Sequence, residues 1–299
     1  SIQTVNLGKE DIINPFPGLR PFTFGESHLF FGREGQSDEV LLNLAQHRFA
    51  AVIGASGSGK SSLMHCGLIP ILYGGFVTEA GSGWNIIVSR PGIAPIDNLA
   101  DAILSKDEGY HNADDAERLI SKRMTSTILR SSSRGLADAV KQLSESGKKN
   151  IFILIDQFEE LFRYIRAERN EETINESSAF VNLLIQSITQ TEVPVHIAVT
   201  LRSDFIGDCS QFPELTQLIN NSHYLVPQMT REQLRLAIEG PVAVGGGKIT
   251  KRLVQQVLND VGNSPDQLPI MQHALMRTWD YWASNKEPEE PIDLRHYIA

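Results

Sequence analysis

The stretch VIGASGSGKSS, Val52–Ser62, has the residue types needed to enclose a chain of phosphates. Gly54–Ser61 fits G-x-x-x-x-G-K-[ST] without exception. Gly54, Gly57 and Gly59 allow the backbone to curl into a nest of inward N–H groups, and a helix starting after the loop adds its N-terminal dipole. Ser56, Gly57, Ser58, Gly59, Lys60, Ser61 and Ser62 are therefore the candidate phosphate-binding residues. Lys60 would reach the terminal phosphates, and the Ser61 hydroxyl would coordinate Mg²⁺.

Such a loop needs a carboxylate from a neighbouring strand to complete the metal site. IFILIDQFEELF supplies Asp156, a lone charge at the end of an apolar strand, where burial demands an ionic or functional reason. Glu159 and Glu160 follow three and four residues later. Either could polarise an attacking water, or both could simply favour a helix N-terminus. Arg202 ends another apolar strand, where it could read a phosphate or stabilise developing charge. A salt bridge to Asp204 is the plainer alternative. Arg90 also ends a strand, one expected to lie farther from the cradle, so it is not counted in the site.

The elements that must position these groups follow from periodicity. Ala50–Ile53, Asn85–Ser89, Ile151–Ile155, Val195–Thr200 and His223–Val226 are short β-rich runs, mostly continuous apolar blocks. Such strands are buried on both faces, as in a parallel sheet with helices on either side. Helical patterns fill the gaps at residues 35–47, 97–104, 113–129, 135–144 and 177–189. The expected fold class is α/β: a five-stranded, parallel, doubly wound domain. After Pro227 the pattern turns helical. Thr230 is placed to cap one helix; Leu253, Val254, Val257, Leu258 and Val261 form the apolar face of a second, closed by Gly262; DQLPIMQHALMRTWDYW makes a third. The expected organisation is an N-terminal arm at residues 1–28, an α/β domain at 29–228 and a small all-helical lid at 229–299.

Composition narrows the function classes. The 299 residues carry a net charge of −9, which argues against gripping a nucleic-acid backbone through this segment. No apolar run approaches membrane-spanning length, and the start has no secretory pattern. Cys66 and Cys209 have no ligand-pair spacing and read as reduced thiols of a cytoplasmic protein. Both ends look cut, so the chain is expected to be a piece of a longer protein.

The guanine-reading Asn-Lys-x-Asp string is absent, its nearest match being NKEP at residues 285–288, and so is an LSGGQ-like string. Both absences favour ATP. LFFGREGQSDEVLLNL upstream of the loop, DQFEEL, TLRSDF and QLPIMQHAL together resemble the STAND class of AAA+-related signalling ATPases. DQFEEL is similar to the acidic motif of its NACHT branch. NPFPGLRPF, IVSRPG and LPIMQHALMRTW look closest to the bacterial novel STAND NTPases. The resemblance runs from about Pro15 to Ala299.

It implies that Phe31, Gly32 and Arg33 line an adenine pocket, that Pro269 packs over the base from the helical lid, and that Arg202 is a sensor arginine. Two positions depart from the pattern: Gln267 replaces the glycine of the Gly-x-Pro lid element, and Gln157 replaces the glutamate that follows the aspartate in AAA+ motors. The resemblance further implies ATP/ADP and Mg²⁺ as ligands and a latch hinged near residues 225–230. ADP would hold it closed; exchange for ATP would open it and expose surfaces for homo-oligomer assembly. Slow hydrolysis would reset it. Sensor and effector domains would lie outside this fragment, in a bacterial signalling or anti-phage defence protein. A nucleotide-binding assembly scaffold with little hydrolysis is the main alternative; a DNA loader and a small-molecule kinase rank below it.

Overall fold

The computed structural model describes residues 13–78, 81–144, 149–262, 267–287 and 289–297. Contacts divide the chain into two compact units: Glu34–Gln228, and a second that joins Ser1–Arg33 to Met229–Ala299.

Glu34–Gln228 is built on five parallel strands: β1 (Phe49–Gly54), β2 (Trp84–Ser89), β3 (Asn150–Ile155), β4 (Val195–Arg202) and β5 (His223–Leu225). Their order across the sheet is β2-β3-β4-β1-β5. Every residue of β1 and β3 is buried, as continuous apolar runs flanked by helices require. Helices Pro95–Leu104, Asp115–Ser131 and Glu171–Ile188 contribute Leu99, Leu129 and Phe180 to the main core, where they join Ile153 and Ile197 of the sheet.

The segments Lys60–Ser62, Leu63–Leu68 and Ile69–Tyr73 run on as one helix after β1, and its middle is π-wound. Pro70 has no N–H to give to the preceding turn, which suits a break in the α ladder there. Gly67 lets that helix approach helix Gln36–His47 closely: a Cβ there would lie 2.2 Å from the Ser37 hydroxyl, which would have to turn away.

The second unit contains helices Arg231–Val244, Lys251–Val261 and Gln267–Asn285, with a short turn at Leu294–Tyr297. Thr230 caps the first, and Gln233 completes a reciprocal capping box. Leu253, Val254, Val257, Leu258 and Val261 are all buried, and Gly262 ends their helix at a φ of +59°. The core centres on Trp279, which packs on Trp282 at 5.0 Å and Phe16 at 6.5 Å between ring centroids. Gly245 and Gly247 make room for its ring; a Cβ would come within 2.6 Å and 3.1 Å of it. Thus Phe16, from the stretch read as an arm, is part of this core.

Candidate nucleotide site

The register of the sheet builds one row of polar groups at the carboxyl ends of its strands. Ser89 pairs with Ile155, Ile155 with Val199, and Gly54 with Arg202. The next residues outward therefore bring Arg90, Asp156, Thr200 and the start of the phosphate loop to a common edge. This is where open parallel sheets bind ligands.

The loop after β1 has the shape its glycines permit. Gly57 and Gly59 take φ values of +70° and +88°, a region closed to most residues, and a Cβ on Gly54 would lie 2.6 Å from the Ser58 hydroxyl. Ser56 is exposed on the loop; Ser58 and Ser62 are buried. Lys60 is only 9% exposed and donates from Nζ to the carbonyls of Gly54 at 3.1 Å and Ala55 at 2.8 Å. Burial lowers the pKa of its ammonium, and Glu159 is the strongest of the charges that oppose this shift. A buried cation seated on the carbonyls of a phosphate loop is placed to move onto a phosphate anion.

Asp156 is 1% exposed and held from several directions. Its Oδ1 accepts from the Ser61 hydroxyl at 2.7 Å and from the Thr200 hydroxyl at 2.7 Å. Its Oδ2 lies 3.4 Å from Arg90 Nη2. β2 is the strand of the sheet farthest from β1, as the sequence suggested, yet the Arg90 side chain reaches Asp156 because β2 flanks β3 directly. His65, on the helix after the loop, is also affected by Asp156 and Arg90, and burial lowers its pKa.

The acidic pair separates. Gln157 adopts a φ of +58°, an uncommon left-handed conformation for this residue type, and the helix begins at Glu159. Glu159 is buried, and its Oε2 accepts weakly from the Arg202 amide at 3.3 Å. Glu160 faces the other way, and its Oε2 accepts from the Gly92 amide at 2.9 Å. It ties down the loop that carries Arg90. The Arg202 guanidinium is bonded to Asp204, at 3.0 Å from Nε and 2.6 Å from Nη2, and lies 5.6 Å from the Phe205 ring centre. The ionic alternative weighed for Arg202 is therefore present, while its backbone still starts beside the phosphate loop.

The remaining predicted residues belong to the second unit. The Phe31 ring occupies the space where a Cβ on Gly240 would be, at 2.5 Å. Gly32 has a φ of +89° and abuts the Gln233 carbonyl, which a Cβ would approach to 2.4 Å. Arg33 is buried, and Pro269 is the third residue of helix Gln267–Asn285 and half-buried.

Comparison with known proteins bears directly on this arrangement. The family described as Novel STAND NTPase 1 matches residues 15–299. The chain belongs to that family. This STAND NTPase is therefore a member of a nucleotide-binding P-loop NTPase family. No curated protein matches it in sequence. Among solved structures it is similar to the Walker-type ATPase PABY2304 of Pyrococcus abyssi, at 13% identity and a TM-score of 0.52, with 90% of this chain and 71% of that one covered. It is also similar to the Aeropyrum pernix Orc1 protein, solved in complex with DNA, at 12% identity and a TM-score of 0.58; the match covers 90% of this chain and 64% of that one. The Aeropyrum pernix ORC2 protein, solved as ADPNP and ADP complexes, is similar at 11% identity and a TM-score of 0.53, over 84% and 62% of the two chains. At these identities the structural likeness concerns the fold. Among the described residues no helix is long and apolar enough to cross a membrane.

The donor set fits Mg²⁺. One carboxylate and one hydroxyl meet at 2.7 Å beside the phosphate loop, and among the described residues no three His, Cys, Asp or Glu side chains gather as metal ligands. Mg²⁺ in phosphate sites takes few protein ligands and fills its shell with water and phosphate oxygens.

Proposed function

We propose that this STAND NTPase binds ATP and ADP with Mg²⁺ at the loop Gly54–Ser61 and hydrolyses ATP slowly. In this reading it is the nucleotide-binding core of a larger bacterial signalling or anti-phage defence protein, cytoplasmic, that oligomerises on activation. The observation that carries the proposal is the meeting of Lys60, Ser61, Asp156 and Glu159 at one edge of the sheet. Loop amides and Lys60 bind the phosphates, with Ser56, Ser58 and Ser62 as part of the cradle. Ser61 and Asp156 would hold Mg²⁺, which would neutralise charge on the phosphate oxygens. Phe31, Gly32, Arg33 and Pro269 recognise the adenine.

Of the two acids, Glu159 is proposed as the general base. It is buried, and it acts on Lys60 more strongly than any other charge around it. Glu160 instead holds the Gly92 amide. Arg202 would have to leave Asp204 to meet a phosphate. That requirement is the observation favouring the second reading, an assembly scaffold that binds nucleotide but hardly hydrolyses it.

Single-turnover phosphate release by the purified protein separates the two. The enzyme reading expects slow release from wild type and none from Lys60→Ala, whose nucleotide affinity falls at least about 100-fold, or about 2.7 kcal/mol. Release no faster than in the Lys60→Ala control leaves the scaffold; unchanged affinity in Lys60→Ala refutes the phosphate placement.

A further inference from the structure

We propose that Thr200 is a positioning residue that fixes the Mg²⁺-binding carboxylate of Asp156; the inference rests on the nucleotide reading above. Thr200 was not singled out in the sequence, since a threonine near the end of a strand is ordinary. Its surroundings are not ordinary. It is 1% exposed, and its hydroxyl makes two bonds of opposite sense. It donates to Asp156 Oδ1 at 2.7 Å and accepts from the Gln157 amide at 2.8 Å. Its carbonyl accepts from the next amide, Phe158, at 2.9 Å.

The β3–β4 register explains how one residue does all three. Ile155 lies opposite Val199, so Thr200 is opposite the point where the chain leaves β3. There Asp156 must face the site, Gln157 must turn through a left-handed conformation, and Glu159 must start a helix. The Thr200 hydroxyl and carbonyl take up the two successive amides of that turn. The hydroxyl proton, committed by the bond accepted from Gln157, is left for the carboxylate.

Oδ1 thus has two donors with different futures. Ser61 is the hydroxyl expected to turn its oxygen to the metal. Thr200 holds Oδ1 whichever way Ser61 turns. An isosteric valine would keep the packing, leave the part-buried Gln157 amide without this partner, and leave Asp156 Oδ1 to Ser61 alone, with Arg90 on Oδ2.

The test compares wild type, Thr200→Val and Thr200→Ser by affinity for a fluorescent ADP, with Mg²⁺ and with EDTA, and by hydrogen exchange at the Gln157 amide. Wild type and Thr200→Ser should show the same gain in affinity with Mg²⁺. Thr200→Val should lose at least about tenfold of that gain, keep its EDTA affinity within about twofold, and exchange Gln157 at least about tenfold faster. A folded Thr200→Val with the wild-type Mg²⁺ gain and Gln157 protection overturns the proposal. So does a folded Thr200→Ser that loses the gain, and this arm stands even where the valine variant fails to fold. A wild type that does not bind ADP sinks the nucleotide reading, and one whose ADP affinity is the same with Mg²⁺ and with EDTA sinks the metal placement; unchanged Gln157 exchange in Thr200→Val would then overturn the role of Thr200 separately.

Discussion

The two units solve opposite problems. In Glu34–Gln228 an apolar sheet ends in charge: Lys60, Asp156 and Glu159 are each less than 10% exposed and lie at the carboxyl edge of the strands. Such groups are retained only where partners hold them: two loop carbonyls hold Lys60, two hydroxyls and Arg90 hold Asp156, and the Arg202 amide meets Glu159. The second unit is organised around an aromatic centre. Trp279 and Trp282 fill its core, and Arg252 pairs with Asp293 through a largely exposed guanidinium, while Arg33 is buried. The contrast sets the polar row of Arg90, Lys60, Asp156 and Glu159, where the chemistry is proposed, against an aromatic core. The helical unit contributes shape: glycines that admit Trp279, and a Gly240 that seats Phe31.

The largest effect expected from this contrast concerns stability. Trp279→Ala removes the centre of the helical core and should cost about 3–5 kcal/mol there, while the sheet unit keeps its own core. Calorimetry should show one thermal transition displaced downward and a second one unmoved. Displacement of both by the same amount would break the division into two cores.

A smaller effect belongs to the sheet unit alone. His196 packs against Trp84 at 5.0 Å between ring centres, and burial lowers its pKa to about 4. The unfolded imidazole, near 6.5, takes up a proton first as pH falls. Stability present above pH 6.5 is therefore lost progressively down to about 4. His196→Gln should flatten this dependence by up to ~3 kcal/mol in urea titrations at stepped pH. His65, whose pKa is lowered in the same direction, keeps a residual slope. A profile unchanged by His196→Gln would show that the buried imidazole is not responsible.

The smallest effect sharpens the role assigned to the helical unit. Phe31→Ala should weaken ADP about tenfold, near 1.4 kcal/mol, and leave inorganic pyrophosphate affinity unchanged. Equal weakening of both would mean that Phe31 acts on the phosphate site.

Much of the α/β architecture was legible because its signals are local. β-rich runs, most of them continuous apolar blocks, marked the strands, and glycine spacing marked the loop. Asp156 stood out as a charge at the end of a buried strand. What stayed hidden depends on strand order and on one backbone angle. β2 lies farthest from β1, as expected, but nothing in IVSRPG says that it flanks β3, so the reach of the Arg90 side chain to Asp156 is not legible in the sequence. Nothing in VHIAVTLR marks Thr200, whose importance comes from its register with Asp156. The two glutamates could not be told apart, because the left-handed turn at Gln157 decides which of them meets the Arg202 amide and which the Gly92 amide. The π-wound helix after the loop was equally silent, since Pro70 alone could equally have started a new helix.

The division of labour between Glu159 and Glu160 is the sharpest consequence of that turn. Single-turnover phosphate release from pre-bound ATP, measured on Glu159→Gln and Glu160→Gln beside wild type, tests it most directly. The account predicts a loss of about 100-fold or more for Glu159→Gln with ATP still bound, and a change within about threefold for Glu160→Gln. A Glu159→Gln protein that releases phosphate at the wild-type rate, or a greater loss in Glu160→Gln, would contradict it.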